Sequence, residues 1–183
     1  MYHNQNKSQT EQTGCDLLIS TSLHILDQLA VAVGDMTQDQ YADSLEEGAS
    51  SVGAHARHVI EFYQALFSIL HANDKAELCY DQRPRNLLLE TSKDAALQEI
   101  TKIKVHLSAV PTDNLDINLR SIVDPDAPML SIRTTLQREL FYLLDHTVHH
   151  MALIKMIAAN HGFMCDQNFG LAQSTKAYEN SRS

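Results

Sequence analysis

The chain has 183 residues, 44% hydrophobic and 20% charged, with a formal net charge of -9. That balance suits one globular domain with a real core and speaks against disorder or a fibrous repeat. Its 14 Lys and Arg are scattered, so no basic surface for a nucleic-acid partner is expected.

The polar start, read as a flexible leader over residues 1–13, lacks the basic and apolar regions of a secretory signal. No later stretch reaches 18 uninterrupted apolar residues, so the expectation is a cytoplasmic protein without a membrane partner. From Asp16 to Val33, Leu17, Leu18, Leu23, Ile25, Leu26, Leu29 and Ala30 recur with the spacing of one helix face, and Gly34 is a stop. Residues 35–48 are polar and read as a loop. Ser50 or Ser51 caps a second helix that carries Val52, Val59, Ile60, Phe62, Leu66 and Leu70 to about His71.

Residues 79–90 form a connector, because Pro84 between Arg83 and Arg85 removes a donor and restrains its neighbour. Ser92 caps a third helix over 93–110, with Ala96, Leu97, Ile100, Ile103 and Leu107 at helical spacing and Pro111 as its stop. The alternating runs 115–123 and 128–133 around Asp124-Pro125-Asp126 predict a short β-hairpin. Thr134 with Gln137 makes a capping-box pattern for the longest helix, which ends near Asn160 before His161-Gly162. The segment after Phe163 is mostly polar and reads as surface chain. The expected fold is all-α, an antiparallel four-helix bundle over 14–175 with a hairpin between the third and fourth helices and a flexible tail over 176–183.

Cys15, Cys79 and Cys165 are odd in number and far apart, without a CxxC spacing, so they read as ordinary thiols. The histidines are the unusual feature: of ten in the chain, five stand at 55, 58, 146, 149 and 150. His146 and His150 are four apart, so on a helix both rings lie on one face about a turn apart and can reach one ion. Imidazole suits Zn, Ni and Fe, and His58, on a helix otherwise apolar at Val59, Phe62 and Leu66, offers a third ligand. His149 points about 100° away from His150 and does not serve the same ion. With His55 and His161 it reads as a solvent-facing or hydrogen-bonded structural histidine. A metal-free cluster of three buried imidazoles would need other polar partners, which favours the ion.

The segment Ser51-Val-Gly-Ala-His-Ala-Arg-His58 and the run His146-Thr-Val-His-His150 resemble the metal-binding pattern of the DinB/YfiT-like superfamily. The resemblance implies His58, His146 and His150 as the ligands. It extends to Arg138-Glu139-Leu140, to the connector Tyr80-Asp81-Gln82-Arg83-Pro84-Arg85, and to Phe169-Gly-Leu-Ala-Gln-Ser-Thr175. It departs at Gln173, where the related branch has Pro.

Three histidine ligands leave a coordination position open, as in catalytic zinc sites. Water there would serve as nucleophile, or a substrate thiol would bind and ionise. The resemblance favours the thiol, since relatives of this fold include low-molecular-weight-thiol S-transferases, and it also implies a homodimer. Arg57, Arg83, Arg85 and Arg138 are then candidates to bind the carboxylates of a thiol cofactor or small-molecule substrate. Glu61, Glu139 and Tyr142, each one or two turns from a ligand histidine, are candidates for general-base or imidazole-orienting roles. The alternative is a non-catalytic, stress-related metal- or ligand-binding protein with a structural ion. No serine triad, phosphate loop or dinucleotide fingerprint is present to suggest another enzyme class.

Overall fold

The computed structural model describes residues 13–71 and 77–182; all of the expected leader except Thr13 lies outside them. Thr13 opens α1 (Gly14–Asp35) with a capping box: its hydroxyl accepts from Asp16 N, and the Asp16 carboxylate accepts from Thr13 N. By length and composition α1 is apolar enough to cross a bilayer. Its Ile25, Leu26, Leu29 and Val33 are instead buried in the core, as in a central helix of a packed domain.

The expected loop after α1 contains a short helix, α2 (Gln38–Ala42), with its own capping box between Thr37 and Gln40. Tyr41 on α2 is fully buried and its hydroxyl donates to Leu89 O at 2.6 Å. Ser51 caps α3 (Val52–Leu70) by accepting from Ala54 N. The connector likewise ends in a short helix, α4 (Leu87–Thr91), capped by Asn86. Gly53 lets α3 and α4 touch: a Cβ there would stand 2.0 Å from Glu90 O. Ser92 caps α5 (Lys93–Ser108).

The hairpin is present as β1 (Asp116–Ser121) and β2 (Leu130–Thr135), antiparallel with Ile117 opposite Thr134. Leu78 adds to its edge, donating to Asn118 O at 2.9 Å and accepting from Arg120 N at 2.7 Å. This pins the start of the connector to the sheet. The cap of α6 (Leu136–Asn160) is Thr135 rather than the expected Thr134. Thr134 is still paired in β2, and its hydroxyl donates to Glu139 Oε1 at 2.7 Å.

The segment after α6 is less superficial than its composition implies. Phe169 is buried, and Gly170, at φ 68°, presses on α6 so closely that a Cβ would meet Ala152 N at 2.5 Å. Lys155 Nζ fastens the same loop by donating to the carbonyls of Asp166 and Gln167 at 3.0 and 2.7 Å. An exposed helix, α7 (Gln173–Asn180), follows. Gln173 is its first residue, the one helical position where Pro is favoured, so the departure from the related branch leaves the helix start intact.

The described residues thus form a mostly helical fold with one small antiparallel sheet. α1 packs on α5 and α6, and α3 packs on the same two helices. Leu26, Leu29, Ile60, Leu66, Ile100, Leu107, Leu140 and Ile154 fill the space between them and are fully buried, the burial that drives assembly of such a core.

Candidate metal centre

The contact between α3 and α6 holds the three histidines. His55, His58 and Phe62 follow one another at three and four residues along α3, and Tyr142, His146 and His150 at four along α6. Two helical stripes therefore face each other. One ligand nitrogen from each of His58, His146 and His150 lies within 4.8 Å of the other two. His58 Nε2 and His146 Nε2 are 2.9 Å apart, and the ring centroids are separated by 5.0 Å for His58–His146 and 4.5 Å for the other two pairs.

Basicity is lowered throughout the cluster. Burial, then the Arg83 guanidinium and the neighbouring rings, push His58 down to about 3. Burial and then the His146 and His58 rings push His150 down to about 3. Burial also lowers His146, aided by His149 and Arg83 and opposed by Asp145. The rings are thus neutral near pH 7, the charge state in which imidazole binds metal. An all-nitrogen set of three suits a divalent transition ion. His58 and His146 remain partly exposed, so the centre is not sealed from solvent.

Aromatic rings form one wall. Phe62 stacks on His146 at 4.5 Å and on Tyr80 at 4.7 Å, and Tyr142 belongs to the same wall, stacked on His146 at 5.4 Å and 5.5 Å from the Tyr80 ring. Such packing fixes ring planes. Phe62 was not singled out from sequence, although its position four residues after His58 was the available signal.

The carboxylates lie behind this wall. Buried Glu61 accepts from Arg83 Nε at 3.1 Å and from Asn86 N at 2.6 Å. It reaches His58 only through Arg83, whose Nη2 is 2.8 Å from His58 Nδ1. Buried Glu139 accepts from the Tyr80 hydroxyl at 2.9 Å, from Thr134, and from Arg138 Nη1 at 2.8 Å. It ties β2, the connector and α6 together. Burial and the Glu139 charge raise the Tyr80 phenol, which stays a donor.

The arginines separate by place. Arg57 pairs with Glu90 at 2.5 Å and joins α3 to α4. Arg138 is exposed and lies over the Tyr142 ring at 5.0 Å. Arg85 is exposed at φ 53°. His55, expected as a solvent-facing or hydrogen-bonded structural histidine, is hydrogen-bonded within the cluster: its Nδ1 is 2.9 Å from His150 Nδ1. His149 is exposed and stands edge-on to His150. His161 lies away from the site, its carbonyl accepting from Gln40.

The model of the DinB family matches residues 21–163, a span that holds all three histidines. The chain belongs to the DinB family. Among curated proteins, this DinB-family chain is similar to FK506-binding protein 5 of Rhizopus delemar, with 36% identity over 101 residues. That alignment covers 54% of this chain and 26% of the relative, so the chain matches about a quarter of that protein's length. No solved structure matches it.

Proposed function

We propose that this DinB-family chain binds one divalent transition-metal ion through His58, His146 and His150 and uses it in small-molecule chemistry, with thiol S-transfer as the favoured reaction. The observation that carries the reading is the convergence of three neutral imidazoles from two helices on one point, with two of them reachable from solvent. When bound, such an ion supplies a Lewis-acidic position that ionises a thiol or polarises an electrophile. Zinc, nickel and iron all suit the donor set.

The protein's own side chains would do the rest. His55 orients His150. Phe62 and Tyr142 hold the plane of His146 and give a ligand an apolar wall. Arg138, exposed over Tyr142, and Arg85, exposed on the connector, would be the guanidinium groups that meet carboxylates of an incoming thiol. We read α1, α3, α5 and α6, with their cyclic packing, as the four-helix bundle that makes this site.

Metal analysis of the purified protein beside His58→Ala and His150→Ala tests the proposal. The wild type is expected to carry about one equivalent and both variants far less, since each loses one of three ligands. Equal content in all three removes the site. Turnover of thiols with an electrophile by the loaded wild type, lost on chelation with the fold retained, separates an enzyme from a protein whose ion is only structural.

A further inference from the structure

We infer that Arg83 holds His58 in the tautomer that a metal ion cannot use, so that metal uptake and the Arg83–His58 hydrogen bond exclude each other. The inference rests on the three-histidine reading above and adds a positioning residue to it.

A guanidinium only donates hydrogen bonds. With Arg83 Nη2 at 2.8 Å from His58 Nδ1, that nitrogen must present its lone pair. A neutral imidazole has one N–H, so the partners assign it to Nε2. His58 Nε2 lies 2.9 Å from His146 Nε2, and its proton therefore points at the lone pair of His146. The two nitrogens best placed to face an ion are closed on each other by that proton.

Coordination through both Nε2 atoms requires the His58 proton to be at Nδ1. One proton leaves Nε2 and one is taken up at Nδ1, so the net charge of the ring does not change. An N–H at Nδ1 then meets an N–H of Arg83, and an attractive contact becomes a repulsive one.

Arg83 has little freedom to turn aside. Its Nε is held by Glu61, its Nη1 donates to Tyr80 O at 3.0 Å, and its Cζ sits 5.1 Å from the Phe62 ring centroid. Glu61 also holds Asn86 N at 2.6 Å, and Arg85 between these anchors is in the left-handed region at φ 53°, a conformation that costs a bulky residue. Releasing His58 therefore shifts Arg83 together with the 80–86 connector.

Histidine-labelled protein examined by nitrogen NMR, first after chelation and then with zinc, tests this directly. Without metal, His58 is expected to show an unprotonated Nδ1 and a protonated Nε2, and zinc is expected to reverse the two. Arg83→Met should bind zinc about tenfold more tightly, the scale on which partners outside the coordination sphere act. If that variant does not fold, the wild-type spectra alone decide. A protonated His58 Nδ1 before zinc is added, with zinc still bound through His58, overturns the role of Arg83 and leaves the metal site standing. An unchanged or weaker zinc affinity in folded Arg83→Met also overturns it. No zinc binding at all removes the metal site and the inference with it.

Discussion

His55 Nδ1 faces His150 Nδ1 at 2.9 Å across the contact between α3 and α6. If His150 offers Nε2 to an ion, its Nδ1–H needs an acceptor, and the neutral ring of His55, itself lowered in basicity by burial and then by His149, is that acceptor. Loss of such a partner costs about 10–100-fold in metal affinity. His55→Ala is expected to weaken zinc binding by about tenfold or more, whereas His149→Ala, removing an exposed ring, should leave it within about twofold. A competition titration against a chromophoric chelator reads both, and similar affinities for the wild type and His55→Ala would remove the role of His55.

The same burial makes the metal-free protein sensitive to acid. His58 and His150 take protons only near 3, while an unfolded histidine does so near 6.5. Below about pH 6.5 the unfolded chain therefore binds protons that the native site refuses, and stability falls as the pH drops from about 6.5 toward 3. Above 6.5 these groups contribute no pH dependence. Urea midpoints of the chelated protein should decline from pH 7 to 5, and the decline should be shallower in the His58→Ala/His150→Ala double variant. Parallel declines in the two proteins count against the assignment.

Glu61 is the anchor of the connector. It is fully buried, and its two oxygens serve Arg83 Nε and Asn86 N. Removing one partner of a buried pair leaves a stranded charge and costs about 3–5 kcal/mol. Glu61→Ala is expected to lose stability on that scale in urea denaturation, with the Arg83 charge left without its carboxylate and the Arg83 Nε–H and Asn86 N–H without their acceptor. Glu61→Gln, which keeps an acceptor, should lose less. A Glu61→Ala protein as stable as the wild type would show that the connector does not depend on this carboxylate.

What could be read from the sequence was whatever repeats with the period of an element. α1, α3, α5 and α6 each carry several apolar residues at helical spacing, and His146 and His150 share a stripe for the same reason. α2 and α4 have five residues each and bury only Tyr41 and Leu89, too few to make a period. Phe169 is a single aromatic in a polar stretch, and only its docking beside Gly170 reveals it as core. The Arg83–His58 bond joins a helix to a Pro-containing connector 25 residues away, a distance on which local pattern says nothing. Glu61 did leave a trace: an acid within Val59-Ile60-Glu61-Phe62-Tyr63 stands where a buried charge must have a partner.

Gly53 gives the sharpest steric test of how α3 is seated. Its backbone passes so near α4 that an added Cβ would lie 2.0 Å from Glu90 O and 2.9 Å from the Tyr41 ring. The first contact is backbone, and the second is a fully buried ring whose hydroxyl is tied to Leu89 O, so neither neighbour can swing away. Gly53 is in the first turn of α3, two residues before His55 and five before His58. Gly53→Ala must therefore push the start of α3 away from α4, and overpacking of this kind costs about 1–3 kcal/mol. The intrinsic helix preference of alanine over glycine, about 1 kcal/mol, works in the opposite direction, so a net loss in urea denaturation means that the clash outweighs propensity. The displacement should also strain the Arg57–Glu90 pair that joins the same two helices and weaken zinc binding through His55 and His58. A Gly53→Ala protein more stable than the wild type, with unaltered zinc affinity, would show that α3 and α4 do not approach this closely.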